Sequence, residues 1–297
     1  MTNQSPASNI ICIGEVLWDS LPVGLFLGGA PLNVGFHLHE LNEHVSVVSR
    51  VGDDRLGKEA LTRIRFKGLE TGLIQTDEQY ETGFVQVQVD EDGNPDYEII
   101  APVAWDEIAL TDTLREEADK AWAMVFGTLA QRNAHTRATI EALYDSNCLK
   151  IFDINLRKPF DDREVVQASL EAADIVKLNE AELQQLITWF ELEGESETAV
   201  RSLANKFECD TICVTQGGKG AMLLHKGKWT EQEGYKIQVA DAVGAGDAFL
   251  AALINGIRKG KDNEELLRFA NAAGALVASK YGATPEYGMD EIMKIAG

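Results

Sequence analysis

Apolar residues along this chain fall in short β-branched runs separated by longer amphipathic stretches. The runs occupy residues 10–13, 45–51, 123–126, 151–154, 175–178 and 212–215, and helical spacing fills 55–67, 136–144, 195–207 and 264–279. Continuous apolar strands alternating with helices predict an α/β fold with a mostly parallel sheet covered on both faces. Ligands of such sheets bind beyond the carboxyl ends of the strands. Two stretches break the rhythm, 16–27 and 84–100. The second alternates Val85, Val87 and Val89 before an Asp92-Gly93 turn and Tyr97 to Ile100. Alternation with a tight turn predicts hairpins, here read as one small antiparallel β lid over the sheet, built from about 15–30 and 82–103. Neither a linker nor a repeat interrupts the pattern, so a single domain over 1–297 is expected.

Charge narrows the partners. With 48 acidic against 27 basic side chains the net charge is −21, which repels nucleic acid and anionic lipid and predicts no partner of either kind. An anionic ligand would need a site built locally from backbone amides and a few cations. The four cysteines, Cys12, Cys148, Cys209 and Cys213, lack paired metal-site spacing and read as reduced core residues. The first nine residues are polar, without a basic and apolar leader, and no apolar run approaches the roughly 18 residues of a membrane span. A cytoplasmic location is expected.

Candidate chemistry concentrates at glycines and strand ends. Asp241-Ala242-Val243-Gly244-Ala245-Gly246-Asp247 follows a strand pattern at 236–240 and opens a helix carrying Phe249, Leu253 and Ile257 on one face. Small residues at 244–246 leave amides at a helix N-terminus free to cradle an anion, with Asp247 placed to take a proton from an attacking hydroxyl. The plainer alternative is an acidic first-turn residue after a flexible loop. Gly28-Gly29 precedes Pro31 at a helix start and Asn33, a pattern suited to close approach of a hydroxylated ligand or to a simple turn. Thr215-Gln216-Gly217-Gly218-Lys219-Gly220 fits a nucleotide contact or a plain turn. Two polar strand ends, 153–157 and 177–182, offer cations for phosphates and carboxylate with amide for a hydrated Mg2+, or are surface polarity. His39 and His44, five apart, stand about 140° apart on a helix and cannot share a metal.

In order along the chain, these pieces resemble the PfkB, or ribokinase-like, carbohydrate kinases over residues 10–284, and within them the fructokinases. Gly14-Glu15 with Asp19, Asp92 to Pro95 with Tyr97, Ala104-Trp105-Asp106, and 127–130 with Arg132 carry the latter likeness. The resemblance implies ATP and Mg2+ as cofactors, Asp247 as catalytic base, Gly244, Ala245 and Gly246 as anion hole and Arg157 facing phosphate. It implies Asp19, Gly28, Gly29 and Asn33 for the sugar. Lys177, Asn179, Thr215, Gly217, Gly220 and Asn271 would meet the nucleotide, and Asn179 with Glu182 Mg2+ through water. Some relatives add K+, here on backbone carbonyls of Asp241, Val243 and Ala278. Relatives also pair through the lid, so a homodimer is expected. Two departures stand out: Glu81-Thr82-Gly83 where many relatives have Pro-Thr-Gly, and bulky Trp18 beside Asp19. The implied activity is phosphorylation of a primary hydroxyl, foremost O6 of fructose. Alternatives are a relative acting on 2-keto-3-deoxygluconate, ribose or a nucleoside, a non-catalytic sugar-binding regulator, and a dinucleotide oxidoreductase, for which the Gly-x-Gly-x-x-Gly fingerprint is missing after the first strand.

Overall fold

The computed structural model describes residues 9–21, 24–89 and 95–297; the Asp92-Gly93 turn lies outside them. In chain order the elements begin β1 (Ile10–Ile13), β2 (Leu17–Leu21), β3 (Gly24–Gly28), α1 (Ala30–Glu40), β4 (Val45–Gly52), α2 (Arg55–Phe66), β5 (Ile74–Asp77), β6 (Gly83–Val89) and β7 (Pro95–Ile99). They continue α3 (Asp112–Lys120), β8 (Ala123–Gly127), α4 (Ala134–Glu141), β9 (Leu149–Asp153), α5 (Arg163–Ala172), β10 (Ile175–Asn179), α6 (Glu180–Phe190) and α7 (Ser196–Phe207). The last are β11 (Thr211–Thr215), β12 (Gly220–His225), β13 (Lys228–Glu233), α8 (Ala245–Arg258), α9 (Asn263–Ala278) and α10 (Met289–Ala296).

Nine strands form the large sheet in the order β13-β12-β11-β10-β9-β8-β1-β4-β5. From β11 to β5 every pairing is parallel, and the β11-β12-β13 edge is antiparallel. The central strands are buried on both faces, which is why they read as unbroken apolar runs. One face packs on α1, α8 and α9 through residues such as Phe36, Phe249 and Leu253. The other packs on the α3 to α7 layer through Phe126, Phe152 and Leu186. Three of the four sequence-predicted helices and six predicted strands fall within two residues of their observed ends, and the fourth helix, α4, stops three residues short of the predicted 144. The strand pattern at 236–240 is the exception. Residues 234–239 form no strand, because β13 is already the sheet edge and this segment runs on toward α8.

The second sheet has the order β3-β2-β6-β7. Both of its hairpins are antiparallel as expected, but β2 joins β6 in parallel. Asp54 anchors this lid. Its carboxylate caps α2 at the Gly57 amide (2.7 Å) and accepts from both the amide and hydroxyl of Thr82 (2.7 and 2.9 Å), at the start of β6. The Glu81 substitution therefore leaves the lid's anchor at Thr82 intact. Trp18, one residue before Asp19 on a strand, faces the opposite side. It is buried, donates from Nε1 to the Leu56 carbonyl (3.1 Å) and lies under the Arg63 guanidinium. Its bulk braces the lid on α2 and stays out of the ligand side.

Candidate active site

The carboxyl ends of β1, β9, β10 and β11 open toward the N-termini of α1, α6 and α8, as the strand order requires. Gly244 is the N-cap of α8 with φ 78°, and a Cβ there would run into the Ala283 carbonyl. Only glycine can hold that left-handed conformation and that contact at once. No side chain caps α8. Ala245 N–H is spent on the Ala242 carbonyl at 3.3 Å. Among the described residues the amides of Gly244, Gly246 and Asp247 make no hydrogen bond, which places the Asp247 amide beside the expected 244–246 set. Unsatisfied amides at the positive end of a fourteen-residue helix are suited to an anion.

Asp247 occupies the third position of α8, and Asn33 on α1 donates from Nδ2 to its Oδ2 at 2.9 Å. Burial and the neighbouring Asp153 raise its pKa to about 6, opposed by Lys177, the Asn33 bond and Arg157. Lys177 lies directly beneath the cradle: a Cβ on Gly246 would stand 3.3 Å from its Nζ. The ammonium bonds Asp153 Oδ1 at 2.9 Å, and both side chains are about nine-tenths buried. Burial works against its charge, yet Asp153, Asp247 and Glu182 hold its pKa above the ordinary lysine value. The structure thus places Lys177 between two carboxylates and the cradle rather than free in the nucleotide cleft.

Across from the cradle, Gly28 and Asp19 meet. A Cβ on Gly28 would touch Asp19 Oδ2 at 2.7 Å, and one on Gly29 (φ 118°) would strike the Glu15 carbonyl. Burial raises Asp19 to about 6, with Arg157 pulling the other way. The exposed Arg157 guanidinium draws the carboxyls of Asp19, Glu15 and Asp247 downward together. Glu15 was noted in sequence only as part of a likeness. Its Oε1 accepts the first amide of α1, at Ala30 (3.1 Å), its Oε2 has no partner, and burial raises it to about 7. A charged residue directly after an apolar strand was the available signal.

A cleft of about 350 Å³ adjoins the cradle. It gathers Asn179, Thr215, Gly217, Gly220 and Asn271 with Gly246, and adds Tyr235, Ile237 and Val239 from the segment misread as a strand. Asn271 is buried there, donating to the Gln232 carbonyl at 3.4 Å. Asn179 and Glu182 form a capping box on α6: Asn179 Oδ1 accepts from Glu182 N (2.9 Å) and Glu182 Oε2 from Asn179 N (2.8 Å). Glu182 Oε1 also accepts from Leu156 N at 2.9 Å. Among the described residues no three His, Cys, Asp or Glu side chains cluster to hold a metal directly. The donor set still fits a hydrated Mg2+ bridged by phosphates, which needs only one or two carboxylates, and the buried Asp153 Oδ2 has no partner of its own. Of the expected K+ carbonyls, that of Ala278 meets backbone amides. Ala278 O accepts from Ala240 N (2.9 Å) and Asp241 N (3.3 Å).

A helix-opening amide cradle with an acid beside it, a glycine-lined polar pocket opposite and a cleft adjoining define an enzyme of the group-transfer class. The pfkB family carbohydrate kinase profile matches residues 15–287, and this chain belongs to that family. It is similar to a sugar kinase of Pyrococcus horikoshii, 30% identical over 96% of this chain and 94% of that protein. A structure of that kinase in complex with ATP superposes with a TM-score of 0.83 at 29% identity, covering 96% and 97% of the two chains. Fructokinase-1 of Oryza sativa subsp. japonica is 28% identical over 96% of this chain and 97% of its own. The fold is shared with a fructokinase of Xylella fastidiosa, at TM-score 0.85, 21% identity and 98% coverage of both chains. Among the described residues no helix is long and apolar enough to cross a membrane.

Proposed function

We propose that this kinase transfers the γ-phosphoryl group of ATP to a primary sugar hydroxyl, foremost O6 of fructose. The observation that carries the reading is Asp247 beside uncapped α8 amides, bonded to Asn33 on the sugar side. Asp247 orients the hydroxyl and takes its proton, while the cradle and Arg157 meet charge spread over the transferring oxygens. Lys177 keeps Asp247 ionised near neutrality by offsetting Asp153. Asp19, Gly28, Gly29 and Asn33 hold the sugar, and Thr215, Gly217, Gly220 and Asn271 line the nucleotide cleft. Mg2+, when bound, neutralises phosphate charge; Asn179 and Glu182 would hold it through water, with Asp153 Oδ2 as a third acceptor. Any K+ would rest on the carbonyls of Asp241, Val243 and Ala278.

The lid, anchored at Thr82, closes over the sugar and excludes water that would otherwise accept the phosphoryl group. Leu25 and Phe26 on its edge strand β3 are 43% and 41% exposed, which supports pairing of two copies there. Light scattering giving a monomer mass would remove the dimer. A cytoplasmic location completes the proposal. The fructose preference rests on the likeness to fructokinases and is tested by ADP release against fructose, ribose, 2-keto-3-deoxygluconate, glucose and adenosine. Turnover on another of these would keep the kinase and replace the sugar.

A further inference from the structure

His37 stands one helical turn after Asn33 on α1 and is completely buried. Its Nε2 lies 3.0 Å from the Ala283 carbonyl and its Nδ1 2.9 Å from the Tyr287 hydroxyl. A carbonyl can only accept, so Nε2 carries the hydrogen and Nδ1 accepts from Tyr287. The two rings stack at 5.7 Å between centroids. Burial pushes the imidazole down to about 4, so it is neutral and this tautomer is stable near neutral pH.

The carbonyl that His37 binds is the one that fills the space beside Gly244. The segment carrying it, residues 281–288, has no helix or strand. Lys280 Nζ holds its far end at the Glu286 carbonyl (2.9 Å) and Glu291 Oε1 accepts from Gly288 N (3.1 Å), while three side chains fasten the stretch 282–284 around Ala283. Asp241 Oδ2 accepts from Gly282 N at 3.2 Å, Lys67 Nζ bonds Thr284 Oγ1 at 2.9 Å, and His37 takes Ala283. Of the three, only His37 is buried and meets the atom in contact with the α8 N-cap. Among the described residues the Ala283 carbonyl has no other hydrogen-bond donor, so losing Nε2–H leaves it unsatisfied and free to rotate toward or away from Gly244.

We propose that His37 and Tyr287 are a positioning pair that fixes the anion cradle through the Ala283 carbonyl. Helix α1 then sets both sides of the reaction, the acceptor side through Asn33 and the phosphate side through His37 one turn later. The inference rests on the reading of the α8 N-terminus as the phosphate cradle. Displacing such a cradle slightly costs catalysis rather than sugar binding, because sugar contacts lie on the first turn of α1 and the lid.

The test compares full-length His37→Leu, His37→Gln and Tyr287→Phe with the parent chain. Leucine keeps apolar bulk and removes the donor, whereas a glutamine Nε2 reaches the same place as the imidazole Nε2. His37→Leu should lower kcat about 10- to 100-fold with the sugar KM within about threefold of the parent. Hydrogen exchange of the peptide over residues 241–249 should quicken in the same variant, while exchange across β8 and β9 is unchanged. His37→Gln should restore both readouts to within about threefold. Parental kcat and exchange in His37→Leu would overturn the proposal. So would a His37→Gln as impaired as His37→Leu, since that outcome assigns the effect to ring packing. If His37→Leu does not fold, Tyr287→Phe decides: faster exchange over 241–249 supports the pair and parental exchange rejects it. A parent chain that phosphorylates no sugar would refute the proposed function, while the exchange measurement still reads the cradle.

Discussion

Replacing Asp247 by Asn should produce an enzyme that is nearly inactive yet more stable. The structure holds this carboxyl at a pKa of about 6 against an ordinary 3.8, chiefly through burial and then through Asp153, after the favourable effects of Lys177, Asn33 and Arg157 are included. At about 1.36 kcal/mol per unit, two units correspond to roughly 3 kcal/mol of native-state cost for keeping the group ionised. The side chain is partly open to the cleft, so solvent screening reduces the expected gain to about 1–2 kcal/mol. The sign follows from linkage. A carboxyl whose folded pKa lies above its unfolded value costs stability fully above the folded pKa, and the cost vanishes below the unfolded one. The advantage of Asp247→Asn should therefore be complete above about pH 6 and disappear near pH 4. Urea unfolding of the ligand-free proteins at several pH values measures it directly. An Asn variant no more stable than the parent at pH 7, or a gain that persists unchanged to pH 4, would refute the reasoning.

Two further outcomes follow from the same carboxyls. Asp19 and Asp247 both titrate near 6, so kcat/KM should fall with a limiting slope approaching two below that pH, and Asp19→Asn should reduce the slope toward one; a profile flat to pH 5 would contradict this. Lys177→Met removes the partner of a buried carboxylate, which should cost about 3–5 kcal/mol in urea unfolding. It also removes a cation that lowers the Asp247 pKa, so the acid limb of the rate profile should move to higher pH.

The strands and helices were readable where one physical signal dominated. Doubly buried strands such as β1 and β8 show unbroken apolar runs, and Pro31 and Gly244 mark helix starts by their backbone demands. The segment 236–240 misled because its apolar residues line a ligand cleft, and Ile237 and Val239 alternate as a strand would. Asp247, Asn33 and the glycines were visible because they sit at helix starts, where backbone demands leave a local pattern. Glu15, His37 and the Asp153–Lys177 pair were less so. Their meaning lies in partners between 15 and 250 positions distant, at Ala30, Lys177 and Tyr287, and no local pattern records those contacts. The amides that Ala278 O meets, from Ala240 and Asp241, are likewise invisible in spacing.

The account's central claim is that Asp247 beside the α8 cradle performs ATP-dependent phosphorylation of a sugar. Its most direct test is steady-state ADP release with ATP, Mg2+ and fructose, comparing the parent chain with Asp247→Asn. The account predicts sugar-dependent turnover in the parent and a kcat about 10²-fold or more lower in the variant, with the fructose KM changed far less. Near-parental turnover by Asp247→Asn would contradict it.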